Sequence, residues 1–130
     1  MEDKLKVALI GGGRTGTPLL EELLKYSYVE IIGVSDFDPA AEGLRIAAEK
    51  EIFTTSEPMA LVKKGECIDI LIEVSGDASL KKHIKEYFEQ TGNVKTLIMH
   101  DLIARLFISV CTKQDKLISG LHPADVGVGG

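Results

Sequence analysis

The sequence predicts a single α/β domain built on a doubly wound parallel sheet, and three observations carry that prediction. Short β-branched runs alternate with longer stretches in which apolar residues recur every three or four positions, the pattern of repeated strand–helix units. The first apolar run passes through Gly11-Gly12-Gly13-Arg14-Thr15-Gly16 directly into a leucine-rich helix. A later run, Ile68 to Val74, is apolar at every position except Asp69 and Glu73, as a central strand covered on both faces should be.

Lys6 to Ile10 is the first strand, and the helix after it extends to about Tyr26 with Leu19, Leu20, Leu23 and Leu24 on one face. Val29 to Val34 is the second strand. Asp38 then caps a helix with Pro39 at its first position, where the missing N–H costs nothing, and this helix is expected to reach about Lys50. Gly43 inside it costs on the order of 1 kcal/mol relative to Ala. Ile52 to Thr54 is a short third strand, and Ser56 caps a brief helix through Lys64 that Gly65 ends. After the fourth strand, Ile68 to Val74, the turn Ser75-Gly76-Asp77 leads into a helix from Ala78 to Gln90 that Thr91-Gly92-Asn93 terminates. Leu80, Ile84, Tyr87 and Phe88 form its inner face. Val94 to Met99 is the fifth strand, and Asp101 to about Thr112 is the last helix, whose Leu102, Ile103, Leu106, Phe107 and Val110 are expected to cover the sheet. Right-handed crossovers place the strands in the order 3-2-1-4-5, with a switch point between the first and fourth where a ligand should lie.

A chain of 130 residues fits one core, so residues 1–118 are expected to form the domain and the glycine-rich stretch 119–130 a tail or linker. The hydrophobic share of 45% and charged share of 27% describe an ordinary globular protein. A net charge of -5 with no concentrated basic face argues against nucleic-acid binding. The amino terminus contains no apolar signal-peptide core and no run reaches membrane-spanning length, so a soluble, cytoplasmic protein without a membrane partner is expected. Cys67 and Cys111 have no metal or redox spacing and are expected to be buried free thiols. No group of His, Cys, Asp and Glu has metal-site spacing. His83 lies among lysines and reads as surface, and His122 falls in the tail.

The pattern Gly11-x-Gly13-x-x-Gly16 gains meaning from its context. It follows a strand, opens a helix, and has Asp36 twenty residues beyond Gly16 at the end of the second strand, as the dinucleotide fingerprint of a Rossmann-like fold requires. Gly11 permits the tight turn, Gly13 lets the backbone approach a pyrophosphate, and Gly16 lets the helix pack closely on the strand. The helix amino terminus then offers N–H groups and its positive dipole end to the phosphates. Arg14 and Thr15 belong to the same loop; a cation at Arg14 is disfavoured by the dipole unless an anion neutralises it. Asp36 can accept hydrogen bonds from both ribose hydroxyls and would repel a 2′-phosphate, so NAD is expected in preference to NADP.

The stretches Val7 to Gly16, Ile31 to Pro39 and Ile68 to Gly76 resemble the N-terminal NAD(P)-binding domain of the glucose-fructose oxidoreductase and inositol dehydrogenase family. More loosely, they resemble homoserine dehydrogenase and dihydrodipicolinate reductase. The resemblance implies that Ser75, Gly76 and Asp77 lie beside the nicotinamide and its ribose. Two departures accompany it. Members of that family usually carry Glu-Lys-Pro after the fifth strand, where this chain reads Met99-His100-Asp101-Leu102, so the matching lysine is absent. They also add a second domain that supplies the substrate pocket. His100 and Asp101 allow an acid with its orienting partner, or simply the start of the last helix. No catalytic residue is assigned.

The leading expectation is an NAD(H)-binding module, either regulatory and redox-sensing or the cofactor half of a larger protein. One alternative is an NAD(P)-dependent oxidoreductase whose substrate site is completed by a partner subunit or further segment; another is an interaction domain that has lost the nucleotide. A homodimer through the last helix is a further expectation.

Overall fold

A computed structural model of the protein describes residues 3–11, 13, 15–113 and 117. Five parallel strands form one sheet in the order β3-β2-β1-β4-β5, the predicted doubly wound arrangement. In chain order the elements are β1 (Leu5–Ile10), α1 (Gly16–Leu23), β2 (Val29–Ser35), α2 (Glu42–Glu49), β3 (Thr54–Thr55), α3 (Pro58–Val62), β4 (Ile70–Glu73), α4 (Ala78–Thr91), β5 (Leu97–His100) and α5 (Asp101–Cys111). A short 3₁₀ turn, Gly65–Cys67, precedes β4. The carboxyl ends of β1, β2 and β4 are level, since Ile10 pairs with both Ser35 and Glu73. The core has two halves because the central strands are covered on both faces. Val7, Leu9 and Ile72 meet α1, α2 and α5 through Leu19, Leu44 and Ile108 on one side. Ala8, Ile10 and Leu71 meet α3 and α4 through Leu61, Ile84 and Phe88 on the other.

Several expected boundaries move, three of them because polar side chains capture backbone groups locally. α2 begins at Glu42 rather than after Asp38. The carboxylate of Asp38 accepts the Ala40 N–H at 2.9 Å, and that of Asp36 accepts the Asp38 N–H at 2.8 Å, so this segment forms turns before the helix starts. Ser56 does not cap α3; Thr55 Oγ1 accepts the Glu57 N–H at 3.0 Å, and Glu57 holds the N-cap position. β3 is confined to Thr54 and Thr55, because the Ile52 N–H is spent on the Ala47 carbonyl at the end of α2. β5 starts at Leu97 rather than Val94, since the Asn93 side-chain carbonyl takes the N–H groups of Lys95 and Thr96. The Thr96 hydroxyl in turn donates to the Ile68 carbonyl at 2.7 Å, fastening this turn to the entry of β4. α1 ends at Leu23, short of Tyr26, and the regular pairing of β4 covers Ile70–Glu73 within the predicted run.

Two burial expectations are corrected. Cys67 and Cys111 are both exposed rather than buried. α5 buries Ala104 and Ile108 with the polar Asp101 and Ser109, and turns Leu102, Ile103, Leu106, Phe107 and Val110 outward. The reason is register: α5 starts at Asp101, whose carboxylate is drawn inward with Arg105 one turn on at 3.1 Å, and this turns Ala104 and Ile108 towards the cluster that includes α1. The 119–130 stretch, with His122, and the domain boundary at 118 lie outside the described residues.

Candidate functional site

The glycine turn sits where β1 ends, between the tips of β2 and β4. Gly11 adopts φ +106°, a conformation open to glycine, and its N–H donates to the Ser35 carbonyl at 2.7 Å. A Cβ on Gly11 would lie 2.9 Å from the Val74 carbonyl carbon. At Gly16, the first residue of α1, a Cβ would lie 1.5 Å from the Gly11 carbonyl oxygen. The turn is therefore closed so tightly on itself that position 16 has no space for a side chain. Thr17 N–H donates to the Gly13 carbonyl at 2.9 Å, so the helix winds straight out of the turn. Gly13 is exposed. Thr15, at the N-cap, is buried and its hydroxyl has no hydrogen-bond partner among the described residues. A buried hydroxyl left unsatisfied costs about 1–3 kcal/mol, and such a group beside a helix amino terminus fits a site completed by an anionic ligand. Gly12 and Arg14 lie outside the described residues.

Asp36 follows β2 directly, at the neighbouring strand tip, and is partly exposed. One carboxylate oxygen braces the turn to Asp38, so the side chain is held in place by backbone rather than waving in solvent. Exposed Phe37 stands next to it.

On the other side of the turn, Ser75 N–H donates to Glu73 Oε1 at 3.0 Å and the Ser75 hydroxyl donates to the same oxygen. That hydroxyl also accepts the Asp77 N–H at 3.2 Å, so it is committed within its own loop. Gly76, at φ +77°, has open space where a Cβ would be. Asp77 caps α4 by accepting the N–H groups of Ser79 and Leu80 at 3.0 and 3.2 Å, a structural task.

Glu73 is the residue the sequence did not single out. It is fully buried at the end of β4, and its second oxygen lies 3.9 Å from His100 Nδ1 at the end of β5, beyond hydrogen-bond range. The available signal was a carboxylate interrupting an apolar strand two residues before a serine. His100 therefore faces Glu73, while Asp101 is paired with Arg105 one turn along α5 at 3.1 Å; the acid with its orienting partner at His100 and Asp101 is not formed. His100 occupies the N-cap position of α5 without a side-chain cap bond.

Burial holds His100 below its ordinary pKa of 6.5; Lys81 and Lys85 on α4 push the same way, and Glu73 opposes them. Well above pH 6.5 the imidazole is neutral both folded and unfolded, so it contributes no slope there. As pH falls below 6.5, the unfolded chain takes up a proton that the folded one resists, and stability declines until the folded pKa is reached. His100→Gln should remove that decline. Urea unfolding of both proteins between about pH 8 and pH 5 reads it, and parallel stability curves would disprove the assignment.

An open parallel sheet with a sterically fixed glycine turn at its switch point defines the class: a Rossmann-like α/β domain. No protein-family model matches the chain. It is 43% identical over 65 residues to acetaldehyde dehydrogenase 1/2 of Rhizorhabdus wittichii, which covers 49% of this chain and 21% of that protein. It is 25% identical over 119 residues to acetaldehyde dehydrogenase of Carboxydothermus hydrogenoformans, covering 90% of this chain and 39% of the relative. The chain thus spans well under half the length of these curated relatives. Among solved structures, the WlbA dehydrogenase in complex with NADH and UDP-GlcNAcA aligns with a TM-score of 0.58 and 22% identity over 87% of this chain and 34% of that one. GenD2 from gentamicin A biosynthesis, in complex with NAD, gives 0.57 and 18% over 88% and 33%. Myo-inositol 2-dehydrogenase from Lactobacillus plantarum gives 0.52 and 14% over 80% and 38%. At these identities the structural likeness establishes the fold, and it agrees with the resemblance read from the sequence.

Among the described residues, no group of three or more His, Cys, Asp or Glu could hold a metal ion, and no helix is long and apolar enough to cross a membrane.

Proposed function

We propose that the chain is an NAD(H)-binding Rossmann module. The observation that carries this reading is the glycine turn in which position 16 admits no Cβ, set beside Asp36 at the adjacent strand tip. Gly11, Gly13, Arg14, Thr15 and Gly16 receive the pyrophosphate, with the orphaned Thr15 hydroxyl as one donor. The Asp36 carboxylate holds the adenosine ribose and disfavours a 2′-phosphate. The loop at Ser75 and Gly76 lies against the nicotinamide half, through its backbone rather than the committed Ser75 hydroxyl. The bound dinucleotide supplies hydride chemistry; the chain's own residues bind and orient it. Two unpaired cysteines are compatible with a reducing, cytoplasmic setting.

The likeness to acetaldehyde dehydrogenases, over 65 residues in one relative and 119 in another, favours a second reading. In it, the module is the cofactor-binding part of an NAD(P)-dependent oxidoreductase whose substrate site comes from a further domain or subunit.

Calorimetric titration with NAD, NADH and NADP tests the shared premise. Saturable binding of NAD or NADH is expected, and Gly13→Val should abolish it while leaving thermal stability nearly unchanged, because Gly13 is exposed. Absence of saturable heat at millimolar nucleotide would remove both readings and leave the interaction domain.

A further inference from the structure

We propose that His100 is the proton-transfer residue for hydride exchange between the dinucleotide and an alcohol or carbonyl substrate, and that buried Glu73 positions it. The proposal deepens the second reading above and rests on the dinucleotide lying across the strand tips. Glu73 and His100 are register partners at the carboxyl ends of β4 and β5, the end of the sheet where that ligand lies. Glu73 Oε2 and His100 Nδ1 are both buried and both without a hydrogen-bond partner among the described residues. They face one another at 3.9 Å.

Ser75 fixes the direction of the carboxylate. Glu73 Oε1 accepts the Ser75 N–H at 3.0 Å and also the Ser75 hydroxyl, which holds the group in place and leaves Oε2 aimed at the ring. A carboxylate has no hydrogen to donate, so the neutral imidazole that satisfies it carries its hydrogen on Nδ1 and leaves the electron pair on Nε2. A closing of about 1 Å brings the two atoms to hydrogen-bond distance. Acid–base pairs commonly tighten in this way once a ligand is bound. The His100 side chain is 33% exposed although Nδ1 is not, so the ring reaches from the buried carboxylate to the surface.

The surroundings keep the ring in its proton-accepting form. Burial first and Lys81 next hold His100 below 6.5; Lys85 adds to this and Glu73 opposes it. Asp101, the adjoining acid on α5, is taken by Arg105 at 3.1 Å. Near pH 7 the imidazole is therefore neutral. In the oxidising direction the substrate C–H bond breaks and its hydrogen leaves with the electron pair to the oxidised nicotinamide. The O–H bond breaks, its proton bonds to His100 Nε2, and the C=O bond forms; reduction of a carbonyl runs through the same transfers in reverse. The Glu73 carboxylate stabilises the imidazolium formed in the oxidising direction.

Two measurements on the full chain test the proposal, and neither requires a substrate. Imidazole ¹⁵N NMR at about pH 8, with the His100 signals identified by their loss in His100→Gln, should show the neutral ring protonated at Nδ1. Glu73→Gln retains the oxygen that Ser75 N–H requires and puts an amide NH₂ in place of Oε2, so the hydrogen should move to Nε2. Diethyl pyrocarbonate, which acylates the unprotonated ring nitrogen, should label His100. NAD at ten times its Kd should slow that labelling about tenfold while leaving exposed His83 on α4 unchanged. A parent ring protonated at Nε2, or His100 labelling that is insensitive to NAD despite saturable calorimetric binding, would overturn the proposal and leave the NAD reading standing. Absence of saturable heat removes that reading and this proposal with it. The parent's tautomer and labelling decide the matter even if Glu73→Gln fails to fold.

Discussion

Gly16→Ala should both destabilise the fold and abolish dinucleotide binding. The added Cβ would fall 1.5 Å from the Gly11 carbonyl oxygen and 2.7 Å from its carbon, both backbone atoms. Neither can rotate away as a side chain could. Relief requires α1 to move off β1, and α1 carries Leu19 and Leu20, which are fully buried. Overpacking of this kind costs about 3 kcal/mol or more, a fall of roughly 10 °C in Tm for a domain of this size. The displaced helix terminus would no longer present its N–H groups to a phosphate. Thermal unfolding combined with nucleotide titration checks both parts. A Gly16→Ala protein with the parent's Tm would mean that the turn is not closed as described.

Asp36→Asn should shift nucleotide preference while sparing stability. Asn keeps an oxygen that can accept the Asp38 N–H now bonded to Asp36 Oδ1 at 2.8 Å, so the turn before α2 should survive. What it loses is the negative charge. Charge-assisted hydrogen bonds are roughly twice as strong as neutral ones, so NAD binding should weaken about tenfold or more. Repulsion of a 2′-phosphate falls at the same time, and the ratio of NAD to NADP affinity should drop by a larger factor. Competitive titration of the two nucleotides against the parent and the variant measures this. An unchanged ratio would show that Asp36 serves the turn to Asp38 and nothing more.

The residues proposed to hold the cofactor were legible because their roles are local. A glycine at φ +106° and another that admits no Cβ are demanded by a turn of a few residues, and the chain shows them as Gly11 and Gly16. The adjacent carboxylate was legible too, since strand length alone brings Asp36 to the strand tip. Its bond to the Asp38 N–H was not foreseen, because it depends on a competition between Asp38 as a helix cap and Asp38 as a turn former that the structure resolves in favour of the turn. Glu73 escaped notice for a longer-range reason: its surroundings include His100, twenty-seven residues away, which the pairing of Glu73 with His100 across β4 and β5 brings alongside.

By itself the sequence determined the strand–helix alternation, the strand order and the glycine turn, because these follow from apolar periodicity, crossover handedness and the steric limits of a few consecutive residues. Only the tertiary structure decided which side of α5 meets the core. Periodicity marks an apolar face without saying what lies opposite it, and the inward pairing of Asp101 with Arg105 turns Ala104 and Ile108 to the core and the other apolar side chains to solvent. The same holds for the polar contacts that set where β5 begins and what His100 faces, for these join groups that approach each other only after the sheet has formed.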